Sequence, residues 1–140
     1  MNTSIDIMAP VGSHESLSAA INAGCNSVYF GLEQLNMRSR SSINFTTEDL
    51  DIIVSKCNKS GVDSYLTLNT VLYDHDMRIM RTLIDRAKEA GVTAVIASDH
   101  AAISYCKKVD VSVHISTQAN VTNIETVEFY AAFADVMVLS

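Results

Sequence analysis

Short polar side chains follow several apolar runs in this sequence, at points where a strand would give way to a loop. They are Asn69, Asp99, Ser116, Gln118 and Asn120. Carboxamide, hydroxyl and carboxylate groups of this kind suit the fixed hydrogen bonds that hold a small polar ligand. Arg38, in the long segment after the second apolar run, could clamp a carboxylate or a phosphate. Because loops are polar in most proteins, the same residues could also be ordinary solvated turns.

His114 lies inside the fifth apolar run, between Val113 and Ile115. The sequence leaves two interpretations open, a core histidine held by a neighbouring group or an inward-pointing polar group near a ligand site. Asp99 and His100 could do acid–base work, although Asp99 is first of all a good helix N-cap. No Gly-x-Ser-x-Gly motif is present, so the sequence assigns no catalytic residue.

The three cysteines do not form a recognisable metal-binding pattern. Cys25, Cys57 and Cys106 are odd in number, and no Cys-x-x-Cys pair occurs. They are expected to be buried, reduced thiols that pack as small apolar groups. We therefore expect no metal site and no cofactor within the chain itself.

Composition and charge narrow the class of protein. The 140 residues are 48% hydrophobic and 19% charged, which is ordinary for one globular domain. The net charge of −6 weakens the case for general binding to a phosphate backbone. The apolar runs are too short to cross a bilayer, and the N-terminus lacks the basic and apolar regions of a signal peptide. These features predict a cytoplasmic protein without a membrane partner.

One short pattern occurs three times along the chain. Residues 23–30, 60–67 and 90–97 each consist of a small residue, a glycine, a polar turn and an apolar run. A glycine just after a helix supplies the left-handed conformation that other residues resist. The spacing of the three glycines is that of strand–helix–strand steps and not of hairpins.

The pattern extends to six strands and five helices in strict alternation. Helix starts are predicted at or just after Ser13, Thr46 with Asp49, Asp74 or Asp76, Asp99 and Thr122. The predicted strands are residues 5–9, 27–30, 64–68, 94–97, 111–115 and 136–139. They are short and mostly apolar, as expected of parallel strands that are covered on both faces. Such alternation fits a doubly wound open sheet or part of a (β/α)8 barrel, although no Gly-x-Gly-x-x-Gly fingerprint follows the first strand.

Several segments, taken in order, resemble peptidase family U32, the collagenase-like proteases. The segments are residues 7–13, 19–24, 28–31, 36–38, 44–45, 67–70, 98–99, 114–123 and 138–140. The most specific is 114–123, which begins His-Ile-Ser-Thr-Gln-Ala-Asn. The resemblance covers the whole chain and implies a barrel in preference to an open sheet.

The resemblance also implies how much of a barrel this is. Residues 1–140 would form the N-terminal part of a single U32-like barrel domain with no second domain, its six parallel strands and five helices not closing. Complete family members continue into a cysteine-rich signature that resembles iron–sulfur ligands. Some act in oxygen-independent hydroxylation of RNA bases or of a quinone precursor, and others are labelled as proteases with unassigned catalytic residues.

Three functional hypotheses follow for this chain. In the first it is half of an enzyme's pocket, inactive alone, that binds a small acid or a base. Its binding residues would be Arg38, Asn69, Asp99, His114, Ser116, Gln118 and Asn120. In the second it is a peptidase that binds a peptide. In the third it is a non-catalytic module that self-associates through its open barrel edges or pairs with a missing C-terminal part.

Overall fold

The computed structural model describes residues 5–36 and 45–140, which form six parallel strands in one sheet. The strands are β1 (Met8–Pro10), β2 (Ser27–Phe30), β3 (Asp63–Leu68), β4 (Ala94–Ala97), β5 (Val113–Ile115) and β6 (Val136–Met137). Each strand pairs with the next one along the chain, in the order β1-β2-β3-β4-β5-β6. A doubly wound sheet reverses its strand order at a switch point, whereas a barrel does not. The consecutive order therefore excludes the open-sheet alternative and confirms a curled half-barrel.

Within residues 5–36 and 45–140, five α-helices connect the strands. They are α1 (His14–Asn22), α2 (Asp49–Lys59), α3 (Met77–Ala90), α4 (His100–Lys108) and α5 (Ile124–Ala131), with short 3-10 turns at Asp74–Asp76 and Thr117–Ala119. Right-handed crossovers between strands in consecutive order place all the helices on one face of the sheet. The predicted alternation of six strands and five helices is confirmed.

Two of the predicted N-caps are confirmed. Ser13 caps α1, because its side chain accepts a hydrogen bond from the backbone N–H of Ser16. Asp99 caps α4, because its Oδ1 accepts from the N–H of Ala101 at 2.8 Å. At the other end of a helix, Gly91 closes α3 in the left-handed conformation with φ of 81°.

The other three helices begin at or within two residues of their predicted starts, but their caps differ from those of α1 and α4. The carboxylate of Asp49, the first residue of α2, accepts from the backbone N–H of Thr46 at 2.8 Å, so Thr46 lies in the turn before the helix. Asp76 precedes α3 but accepts from the N–H of Tyr73 at 2.9 Å instead of capping the helix. Asn123, one residue after Thr122, caps α5 through the N–H of Thr126.

The main core lies between the sheet and the helices. It is built from alternate residues of each strand, such as Phe30, Leu66 and Ile115, which are 0–1% exposed. The helices contribute residues at helical spacing, such as Leu17 and Ile84, which are fully buried. Burying each large aliphatic side chain contributes roughly 1.5–3 kcal/mol, so this layer carries most of the stability.

The opposite, concave face of the sheet is more polar than expected from the sequence. Parallel partners share a face, and the register pairs Tyr29 with Tyr65 and aligns Thr67, Ile96 and His114 in one row. The expectation that the strands are apolar on both faces is therefore wrong for this face. The helices cover only the other side of the sheet, so polar groups here keep access to solvent or to a ligand.

The first and last strands carry exposed apolar side chains. Ile7 and Met8 are 62% and 41% exposed before and in β1, and Val136 and Leu139 are 43% and 63% exposed in and after β6. Among the described residues, β1 pairs only with β2, and β6 only with β5. No helix in the described ranges has both the length and the apolar character required to span a bilayer.

Candidate functional site

A cavity of about 290 Å³ opens on the concave face near the carboxyl ends of the strands. Its lining residues are Met8, Tyr29, Phe30, Gly31, Asn36, Thr67, Asn69, Ile96, Ser116, Thr117 and Val138. They come from β1 to β4 and from the segments that follow β2, β3, β5 and β6. This is the end of a parallel barrel at which binding groups gather in known barrel enzymes.

Thr67 and Tyr29 are brought to the cavity by strand register. Thr67 is buried on the concave face, and its hydroxyl donates to the carbonyl oxygen of Phe30 at 3.0 Å. This bond fixes the end of β3 against the end of β2. Tyr29 lies on the same face one strand away, opposite Tyr65.

Gly31 makes room for Asn36 at the wall of the cavity. A Cβ atom on Gly31 would lie 2.6 Å from Oδ1 and 2.7 Å from Nδ2 of Asn36. The Asn36 side chain is buried, and its Nδ2 donates to the carbonyl oxygens of Leu32 and Gln34. The segment after β2 is thereby folded back so that a carboxamide lies at the cavity wall.

Two of the residues predicted from sequence line this cavity. Asn69 follows β3 and lies at the cavity wall. Ser116 is 3% exposed and also lines the cavity, while its Oγ accepts from the N–H of Gln118 at 3.2 Å. The serine therefore has a second role, as the cap of the short turn that follows β5.

Three other predicted residues, Gln118, Asn120 and Asp99, are described but do not line the cavity. Gln118 and Asn120 are exposed in and after the turn, and Asn120 adopts a left-handed conformation with φ of 54°. Asp99 uses both carboxylate oxygens structurally, because Oδ2 also accepts from the N–H of Leu72 at 3.4 Å. Arg38 lies outside the described residues.

His114 lies on the concave face beside the cavity, in the row that contains Ile96. Its ring is partly buried against the ring of Tyr65, with 4.9 Å between the centroids. Burial lowers the pKa of His114, and the carboxylates of Asp135 and Asp63 oppose this shift. A neutral imidazole on this face offers one donor and one acceptor nitrogen. Its role in binding stays a prediction.

Tyr29 and Thr67 were not predicted from the sequence, although a signal for them was present. Both are polar residues at alternate positions of otherwise apolar strands, as are Ser27, Tyr65 and His114. A search for polar residues at every second position of each strand would have assigned these side chains to one face of the sheet.

A second polar contact at the same end of the barrel links two helices. Nε2 of His14 lies 2.8 Å from Oδ1 of Asp49, which joins the start of α1 to the start of α2. Two hydrogen bonds hold the pKa of Asp49 below its usual range. The larger effect comes from the bond donated by the backbone N–H of Thr46, and the next from the bond with the His14 ring. The His14 ring packs edge-on against Phe45 at 5.3 Å. The pair lies on the helix side of the sheet, behind the cavity wall.

The cysteines do not fit an iron–sulfur cluster. Burial raises the pKa of Cys57 to about 11 and that of Cys106 to about 12, so both are protonated thiols in the apolar core. Cys25 is also buried, in the turn before β2. Within residues 5–36 and 45–140, no three His, Cys, Asp or Glu side chains converge as a metal site would require.

Comparison with known proteins gives the family. The model of Peptidase family U32 matches residues 12–140. The chain is 58% identical over 135 residues to a collagenase of Porphyromonas gingivalis (strain ATCC BAA-308 / W83), a match that covers 96% of this chain and 33% of that protein. It is 30% identical over 127 residues to tRNA hydroxylation protein P1 of Bacillus subtilis (strain 168), a match that covers 89% of this chain and 30% of that protein.

The solved structures agree on the fold. A solved U32 peptidase superposes with a TM-score of 0.77 at 15% identity, over 99% of this chain and 60% of that one. The chain spans about a third of the length of the collagenase and of the tRNA hydroxylation protein. The family model, the identity to the Porphyromonas collagenase and the shared half-barrel agree, and this chain belongs to peptidase family U32.

Proposed function

We propose that this chain forms one wall of a site that binds an uncharged base of RNA, in a U32 protein that modifies RNA. The observation that carries the proposal is the chemistry of the cavity. Its lining combines hydroxyl and carboxamide groups with apolar surface, and none of the described lining residues is charged. An anionic ligand buried there would lack a compensating cation among these residues, whereas a neutral base would not need one.

The polar groups at the cavity wall match the edge of a base. Asn69 supplies a carboxamide, and Thr67 and Ser116 supply hydroxyls. Tyr29 and Ile96 supply flat and apolar surface against which a ring can pack. Single-stranded RNA bases are recognised by this combination of edge hydrogen bonds and stacking.

The relatives support an RNA substrate. The name of the Bacillus subtilis relative states a role in tRNA hydroxylation. Because the chain spans about a third of that protein's length, we propose that the half-barrel supplies recognition and that the reacting groups lie elsewhere. On this proposal the 140-residue chain is inactive by itself, and an iron–sulfur cluster of the kind expected in complete family members would not be held by its cysteines.

The proposal is tested by measuring how tightly the Asn69→Asp variant binds nucleosides. This change places a carboxylate in the uncharged cavity with little change of shape, so the affinity for cytidine and uridine should fall at least about tenfold. Gln118→Glu is the matched control, since it makes the same chemical change at an exposed residue outside the lining. Isothermal titration at neutral pH measures both. Equal affinities for the wild type and Asn69→Asp would refute base binding in this cavity.

A peptidase is the second candidate, favoured by the 58% identity to the Porphyromonas collagenase. The cavity contains the hydroxyls of Thr67, Ser116 and Thr117, but its described lining residues include neither an imidazole nor a carboxylate that would activate them. Incubation of the protein with denatured collagen tests for peptidase activity. Cleavage that is lost in Asn69→Asp and kept in Gln118→Glu would establish the peptidase, and cleavage in all preparations would indicate a contaminant.

A further inference from the structure

A groove of about 500 Å³ runs between α3 and α4 on the outer surface of the half-barrel. Its lining includes Met80 and Tyr105, together with Arg81, Ser104 and Lys108. The two helices begin at the carboxyl end of the sheet, so the groove opens towards the rim around the cavity. It is separate from the cavity and shares no described lining residue with it.

Tyr105 and Arg81 are held in place within this groove. The Tyr105 hydroxyl lies 3.0 Å and 3.1 Å from the two carboxylate oxygens of Asp85, which fixes the ring. The guanidinium of Arg81 lies 5.9 Å from the centroid of that ring. Arg81 and Asp85 are one helical turn apart on α3, yet no ion pair joins them. Within the described part of the chain, the Arg81 N–H groups therefore bind no carboxylate.

The two charged residues in the described lining of the groove, Arg81 and Lys108, are both cations. Lys108 has no carboxylate partner in the described ranges, and the exposed residues Arg78 and Lys107 lie on the same two helices. The carboxylate of Asp85 accepts the Tyr105 hydroxyl at the groove wall, so one anion lies beside the two lining cations. At the start of α3, Asp76 accepts a backbone N–H. A local cationic site thus exists on a chain whose net charge is −6.

We propose that this groove binds phosphate groups of the single-stranded RNA whose base enters the cavity. The inference rests on the proposed function and extends it to a second contact surface. An exposed arginine that packs on an aromatic ring, as Arg81 does, suits a phosphate. Proteins also commonly bind single-stranded nucleic acids in a cationic groove that has an aromatic wall. The two helices begin at the same end of the sheet as the cavity, which favours RNA over an acidic peptide as the occupant.

The test compares two double variants that remove the same charge. Arg81→Ala with Lys108→Ala alters the groove, and Lys56→Ala with Lys59→Ala alters α2 instead. Binding of a short fluorescent single-stranded RNA is measured between about 50 and 200 mM salt, and the groove variant should bind at least tenfold more weakly at low salt. The slope of log K against log salt should fall by about 1.4, which is about 0.7 for each lost phosphate contact.

The other outcomes separate the two proposals. If cytidine binds equally well to the wild type and the groove variant while RNA binding falls, both proposals stand. If RNA depends on Arg81 and Lys108 but cytidine does not bind the wild type, base recognition is refuted and the groove site stands. The groove site is refuted if both double variants bind RNA equally well. It is also refuted if an oligoglutamate peptide displaces the RNA from the groove at a lower concentration than unlabelled RNA does.

Discussion

At the scale of single residues, the cavity depends on small differences in side-chain size. Gly31 has no Cβ, and Asn36 occupies the space that a Cβ would take. This glycine is required for a close approach and not for an unusual backbone conformation, since its φ lies outside the left-handed range. Its size therefore controls whether a carboxamide reaches the cavity.

Gly31→Ala should displace Asn36 and weaken the protein. Overpacking of a filled site costs about 1–3 kcal/mol, so the free energy of unfolding in urea should fall by that amount. Cytidine affinity should fall as well, because Asn36 lines the cavity. Gly12→Ala is the control, since a Cβ added at Gly12 would meet nothing within 4 Å. A Gly31→Ala protein as stable as Gly12→Ala would contradict the close packing of Asn36.

At the scale of helices and strands, Asp99 shows how a residue suited to catalysis can have a structural role. Its two oxygens accept the N–H of Ala101 at 2.8 Å and of Leu72 at 3.4 Å, so it joins the start of α4 to the loop after β3. The sequence left both cap and acid–base roles open. The two hydrogen bonds of Asp99 favour the role of helix N-cap.

Asp99→Ala should lower stability and leave ligand binding unchanged. Loss of an N-cap costs about 1 kcal/mol, which urea unfolding resolves. Thr122→Ala is the control, because Asn123 caps α5 in its place. We expect Thr122→Ala to change stability by less than about 0.5 kcal/mol, as is usual at exposed positions. Loss of cytidine binding in Asp99→Ala, with stability retained, would restore the catalytic interpretation.

The strands and helices were easier to predict from the sequence than the residues that line the cavity. Glycines at 24, 61 and 91 all adopt positive φ, as the repeated pattern implied, because a left-handed turn after a helix is a local requirement. The cavity residues Thr67 and Tyr29 lie on different strands, and only register brings them to one face. The alternation within each strand indicates which residues share a face, but register, which sets which side chains of different strands lie together, depends on pairing across an intervening helix.

At the scale of the whole molecule, the exposed strand edges favour association. Unpaired strand edges with apolar side chains are places where another chain adds. Ile7 and Leu139 are 62% and 63% exposed near the two edges. We propose that these edges pair with a second copy or with a further barrel segment.

Sedimentation velocity should show a dimer or larger species of the 140-residue chain. Ile7→Lys with Leu139→Lys places charges at both edges and should shift the protein towards the monomer. Val71→Lys is the control, because Val71 is 72% exposed in the loop after β3 and away from both edges. A wild-type chain that sediments as a stable monomer at micromolar concentrations would refute the association.

The consecutive strand order also has a consequence for biosynthesis. Every strand pairs with the strand made just before it or just after it. Paired strands are therefore neighbours in the order of synthesis, and nascent chains generally fold from the N-terminus. Each strand–helix unit can therefore dock on its predecessor as it leaves the ribosome. The growing sheet then offers one fresh edge at a time to the next unit, which limits the time available for mispairing.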